Sequence, residues 1–117
     1  MKYFFILLLL STNLLAQSVF YTFNNNGKSE KIEINLYKKV KIDINCFKAK
    51  KSCLAIKALS SKVSKKSSSG NPYSFYCQQV NGRPIILEDS KRNQYDFCQF
   101  TDQSMISSFD LYKERSL

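Results

Sequence analysis

No histidine occurs in the 117 residues of this chain. That absence removes Ser-His and Cys-His nucleophilic sites and histidine-metal centres together, since each needs an imidazole as base or ligand. The cysteines also lack the close Cys-x-x-Cys spacing of a structural zinc site. Arginine is missing between Lys28 and Lys66, and Phe47 is nearly the only aromatic beside the Lys48–Lys66 cluster. Base recognition favours arginine forks and aromatic stacking, so nucleic acid is a poor partner for this composition. Asp96 and Asp102 remain as a carboxylate pair for acid–base work, but nothing in their spacing singles them out. The expectation is a protein that is not an enzyme, with no catalytic residues, no cofactor and no metal.

What the sequence does contain begins with an export signal. Met1-Lys2 is a short basic start, Tyr3 to Leu10 is apolar or aromatic throughout, and Leu14-Leu15-Ala16 offers a cleavage position before Gln17. Such a run is a secretory signal peptide, too short for the ~20 residues of a membrane span. Residues 1–16 are therefore expected to be removed. Residues 17–117 form one exported domain, periplasmic or extracellular, delivered by a Sec-type route. Cys46, Cys53, Cys77 and Cys98 all fall in that part. An even count in an oxidising compartment implies two disulfides, with three pairings open.

The charge is divided unevenly. Residues 28–66 carry twelve lysines against Glu30, Glu33 and Asp43, whereas residues 71–117 carry five basic and six acidic groups. A basic half of this kind points to an anionic partner such as lipid, lipopolysaccharide or cell-wall polymer. Its candidate contacts are Lys48, Lys50, Lys51, Lys57, Lys62, Lys65 and Lys66. The plainer reading is a solvated surface.

Periodicity supplies the elements. Val19 to Phe23 reads as a strand and Asn24 to Gly27 as a turn. Ile32, Ile34, Leu36, Val40, Ile42, Ile44 and Cys46 all stand at even positions, the period of a half-buried strand. If those residues share one face, a hairpin turns through Tyr37-Lys38-Lys39 and sets Leu36 against Val40, with a single long bent strand as the alternative. Cys53, Leu54, Ala55, Ile56, Ala58 and Leu59 then give one side of a short amphipathic helix. Residues 60–70 form a serine- and lysine-rich connector. Asn71 and Pro72 open a helix that ends at Asn81-Gly82. A hairpin follows, with strands at Pro84–Leu87 and Gln94–Phe100. Asp102 or Ser104 caps a last helix with Met105, Ile106, Phe109 and Tyr112 at helical intervals. The fold class expected is α+β: a β-hairpin and helix over the basic residues 28–66, then helix-hairpin-helix over 71–114.

The block from Asn71 to Tyr112 resembles a bacterial family, domain of unknown function 333, often labelled a haemolysin. Asn71, Pro72, Ser74, Tyr76 and Cys77 match its opening motif, Gly82 its glycine after the helix, and Cys98, Phe100, Asp102 and Ser104 its second block. Gln103, Ile106 and Phe109 stand where the family has glycine, cysteine and tryptophan, and its last cysteine has no counterpart. The resemblance implies a Cys77–Cys98 bridge, which leaves Cys46 with Cys53. It brings no catalytic residues. Binding or a structural role at the envelope is the function expected, with a membrane-active effector, or an inhibitor or partner of another exported protein, as the alternatives.

Overall fold

The computed structural model describes residues 18–48, 53–61 and 70–115. Within them the chain forms a closed antiparallel barrel of six strands, in the order β1-β2-β3-β6-β5-β4. The strands are β1 (Val19–Asn25), β2 (Lys28–Tyr37), β3 (Val40–Asp43), β4 (Arg83–Glu88), β5 (Gln94–Gln99) and β6 (Met105–Ser107). Four short helices are added: α1 (Ile44–Lys48), α2 (Leu54–Ala58), α3 (Pro72–Gln79) and α4 (Ser108–Arg115). The α+β class is thus overturned, because the two predicted hairpins belong to one sheet that closes on itself. Closure runs through Thr22–Glu88 and Phe23–Leu87 on one seam and Ile42–Ile106 on the other.

Two apolar cores explain the closure. Tyr21, Phe23, Ile34, Ile85, Leu87, Phe97 and Met105 fill the barrel. Val40, Ile42, Cys98 and Ile106 point the other way, into a second core with Ala55, Ala58, Tyr76, Cys77 and Leu111 of the helices. Around β3, β6 and the end of β5 the sheet is buried on both faces, and this corrects the hairpin. β2 and β3 join through the two-residue turn Lys38-Lys39, with Tyr37 opposite Val40 and Leu36 opposite Lys41. Ile34 faces the barrel while Val40 and Ile42 face the helices, so the even-numbered residues do not share one face. Lys38 and Lys39 have φ of 47° and 69°, a left-handed pair of the kind that a tight hairpin demands. Leu36 is left half exposed.

Other expectations fall into place or shift. Asn71 caps α3, its Oδ1 accepting the Tyr73 N–H at 2.9 Å, and Pro72 takes the first turn. Asn81 has the left-handed φ of 67°. Gly82 serves by its missing side chain instead: a Cβ there would overlap Cys98 Sγ and stand 2.9 Å from Cys77 Sγ. Bridges join Cys77 to Cys98, with Cα atoms 5.6 Å apart, and Cys46 to Cys53, 5.4 Å apart. Ile44 and Cys46 lie in α1, not in a strand. Met105 and Ile106 lie in β6, and the last helix begins only at Ser108. The signal peptide expected at 1–16 and most of the expected connector, residues 62–69, lie outside the described residues. Within those, no helix is long and apolar enough to cross a membrane.

Candidate functional site

The site is a gap in the barrel wall, and Asp43 makes it. β2 has ten residues and β3 four, so only Ile34 to Tyr37 of β2 pair with β3. Beyond Asp43 the chain leaves the sheet because the Asp43 carboxylate accepts the N–H groups of Asn45 at 2.7 Å and Cys46 at 3.2 Å. That is an N-cap, and it turns a would-be strand into α1. Its other oxygen accepts the Met105 N–H at 3.1 Å and so ties the start of β6 to the same point. Burial raises the Asp43 pKa above the ordinary carboxylate value, and the three backbone hydrogen bonds only partly oppose it.

Among the described residues, Lys28 to Glu33 therefore pair with β1 on one side and with no strand on the other. The closing pair of a two-residue hairpin, here Asn25 and Lys28, is hydrogen bonded. Alternation then assigns the backbone groups of Ser29, Lys31 and Glu33 to the free edge. This edge borders a groove of about 460 Å³ whose far wall includes Gln99, Gln103 and Met105, with Asp43 at its end. Glu30, Ile32 and Glu33 line the near wall.

The opposite wall is rigidly mounted. Gln99 is buried, accepts a hydrogen bond from the Arg83 guanidinium, and donates to Gln103 Oε1 at 3.2 Å. The turn from Phe100 to Ser104 closes on itself by Phe100 N–H to Ser104 O and Gln103 N–H to Phe100 O, each 2.9 Å. Gln103 takes a φ of 71° there, a left-handed conformation that glycine adopts most readily. Asp102 does not cap its own helix. Its Oδ2 accepts the Leu54 N–H at 2.8 Å, and Ser104 Oγ accepts the Ala55 N–H at 3.0 Å, so this turn caps α2 from across the fold. Burial pushes the Asp102 carboxyl up, but hydrogen bonds from Ser104 and Leu54 outweigh it and leave the pKa below the usual value. Asp96, the other member of the carboxylate pair, accepts from Asn71 Nδ2 at 3.2 Å. Beside the groove, a smaller pocket of about 200 Å³ is lined by Cys46, Cys53 and Asp102.

Of the lysine set, Lys57 alone has a described side chain, exposed on α2. Lys48 ends α1, and Lys50, Lys51, Lys62, Lys65 and Lys66 lie outside the described residues. What sequence reasoning missed is the acids. Glu30, Glu33 and Asp43 are the only carboxylates of residues 28–66, and all three line the groove. The signal was present in the order of residues: charged Lys28 to Lys31 precedes the apolar alternation, which marks a strand longer than its buried part. Among the described residues no cluster of His, Cys, Asp or Glu is arranged to hold a metal.

The groove thus joins β2 of the N-terminal half to the turn that follows β5. No curated protein and no solved structure matches the chain. The half that carries that turn does find relatives: residues 68–115 match the model of the family described as Domain of unknown function (DUF333).

Proposed function

We propose that this chain is an exported, non-enzymatic binding domain that takes an extended segment of another exported protein along the free edge of β2. The observation that carries the reading is the unpaired edge of Lys28 to Glu33 beside a groove already walled on its far side. A strand laid there would take the place that β3 gives up at Asp43. It would gain backbone hydrogen bonds from Ser29, Lys31 and Glu33, which is how strand addition supplies affinity without a deep pocket. Export is supported by the leader-like residues 1–16, and the envelope is where such a domain would act. The paired cysteines suit that compartment.

The test is selection of short peptides from a random displayed library by the mature chain and by Lys31→Pro. Proline removes the outward N–H at the centre of the edge and leaves the β1 side intact. Binders lost with Lys31→Pro, and lost again when the peptide backbone is N-methylated at alternate residues, support strand addition. A library that yields no binder, or binders indifferent to both changes, removes the reading.

A further inference from the structure

Resting on the strand-addition reading, we infer that the segment bound at the β2 edge is basic, with a lysine or arginine opposite Glu30 and another opposite Glu33. The chain has a formal charge of +9, yet among the described residues this groove is lined by Glu30, Glu33 and Asp43 with Lys31 as the one cation. Every acid of residues 28–66 is gathered at one place in an otherwise lysine-rich stretch.

The cation does not neutralise them. Lys31 Nζ lies over the Phe20 ring, 4.2 Å from its centroid, in a cation–π contact on the β1 side. Among the described residues neither Glu30 nor Glu33 has an ion-pair partner. The Asp43 oxygens are occupied by three backbone N–H groups. Two carboxylates thus flank the edge with their charge unmatched, three residues apart.

The register then specifies a pattern. Directly opposed residues in an antiparallel pair interact, and opposite charges across the pair are favourable. A segment running antiparallel to β2 meets Glu33 first, then Ile32, Lys31 and Glu30. Its sequence from the N-terminal side is basic, apolar, neutral, basic. The apolar residue faces Ile32 and Met105, both on the groove wall. A second copy of this chain fits poorly. The two-fold registers that use most of the free edge set Glu30 on Glu30 or Lys31 on Lys31, which is repulsive, and the one centred on Ile32, which sets Lys31 on Glu33, leaves Lys28 and Ser29 unpaired.

Three peptides identical except at the two charged positions test this, titrated into the mature disulfide-bonded chain by fluorescence anisotropy. The members are Lys-Val-Thr-Lys, Ser-Val-Thr-Ser and Glu-Val-Thr-Glu, each within the same neutral flanks. The lysine peptide should bind roughly tenfold tighter than the glutamate one, with the advantage shrinking as salt rises. Glu30→Gln with Glu33→Gln should abolish that preference while the serine peptide binds as before. Equal binding of all three overturns the charge assignment and leaves strand addition standing. Binding by none overturns strand addition itself. A dimer of the free chain that Lys31→Pro dissolves would give the edge to a second copy and overturn the inference.

Discussion

The Asp43 carboxylate accepts the N–H of Met105 at 3.1 Å, while that of Asp110 accepts the N–H of Lys41 at 2.9 Å. Both bonds cross the seam between β3 and the β6–α4 segment, which has one strand pair of its own, Ile42 with Ile106. Closure of the barrel on this side therefore rests on side-chain acceptors as much as on the ladder. The first of these acceptors is also the residue that opens the groove.

A pH dependence follows from the raised pKa of Asp43. Burial disfavours the charged carboxylate, so the native state holds a proton that the unfolded chain has released. This contribution to stability is full below the unfolded carboxylate pKa and is lost as pH rises through the higher native value. Carboxyl carbon shifts should show Asp43 titrating above the ordinary aspartate value. Asp43→Asn should flatten the fall in urea midpoint across that window. It should also cost about 1–3 kcal/mol below that window, because the amide cannot accept on both sides, and the cost should shrink as pH rises through it. A titration of Asp43 at or below the ordinary aspartate value would count against its burial.

Gly82 is expected to be intolerant for a steric reason. An alanine Cβ would overlap Cys98 Sγ, within a fully buried bridge. Gly82→Ala should lower stability by about 1–3 kcal/mol, the range for overpacking a filled core. The penalty should shrink in a Cys77→Ala, Cys98→Ala background, where the obstructing sulfurs are gone. An equal penalty in both backgrounds would place the cost in the backbone instead.

The Lys38-Lys39 turn predicts a gain. Two non-glycine residues sit at positive φ, each at a cost of about 1–2 kcal/mol relative to a residue at ease there. Lys38→Asn with Lys39→Gly supplies the favoured pair for this turn. Thermal unfolding should move upward by several degrees. A lowered midpoint would mean that the lysine side chains contribute more than the backbone strain removes.

Local signals were legible where one residue type decides the geometry. Asn71-Pro72 started a helix, Asn26-Gly27 made a hairpin turn with φ of 51° and 81°, and the polar run Asp89–Asn93 joined two strands. Closure was not legible, because it depends on pairs far apart in sequence: Phe23 with Leu87 and Ile42 with Ile106. The even-numbered apolar residues misled for a related reason. Alternation marks a strand but not which face of it meets which core, and at β3 both faces are covered. Met105 and Ile106 satisfied a helical interval and a strand equally well, and the ladder to β5 decided between them. The groove was hidden because it is a difference in strand length, and the break in β3 comes from a cap on Asp43 that a run of alternating residues conceals.

Asp102 offers the clearest test of coupling between the two halves of the chain. Its Oδ2 accepts the Leu54 N–H from 48 residues away, and Ser104 takes the Ala55 N–H beside it. These two bonds seat the first turn of α2, whose N-cap Cys53 is bridged to Cys46. Asp102→Ala should cost about 1 kcal/mol, the usual value of a lost N-cap acceptor. Amide exchange should quicken at Leu54 and Ala55 while β4 and β5 keep their protection. The Asp102 carboxylate has a lowered pKa, so its contribution is present above the unfolded value and is lost as pH falls through the native one. Wild-type exchange at Leu54 should therefore approach that of Asp102→Ala in acid. If Leu54 exchanges alike in both proteins at neutral pH, α2 is held by its core packing, the Ser104 bond and the Cys46–Cys53 bridge without help from Asp102.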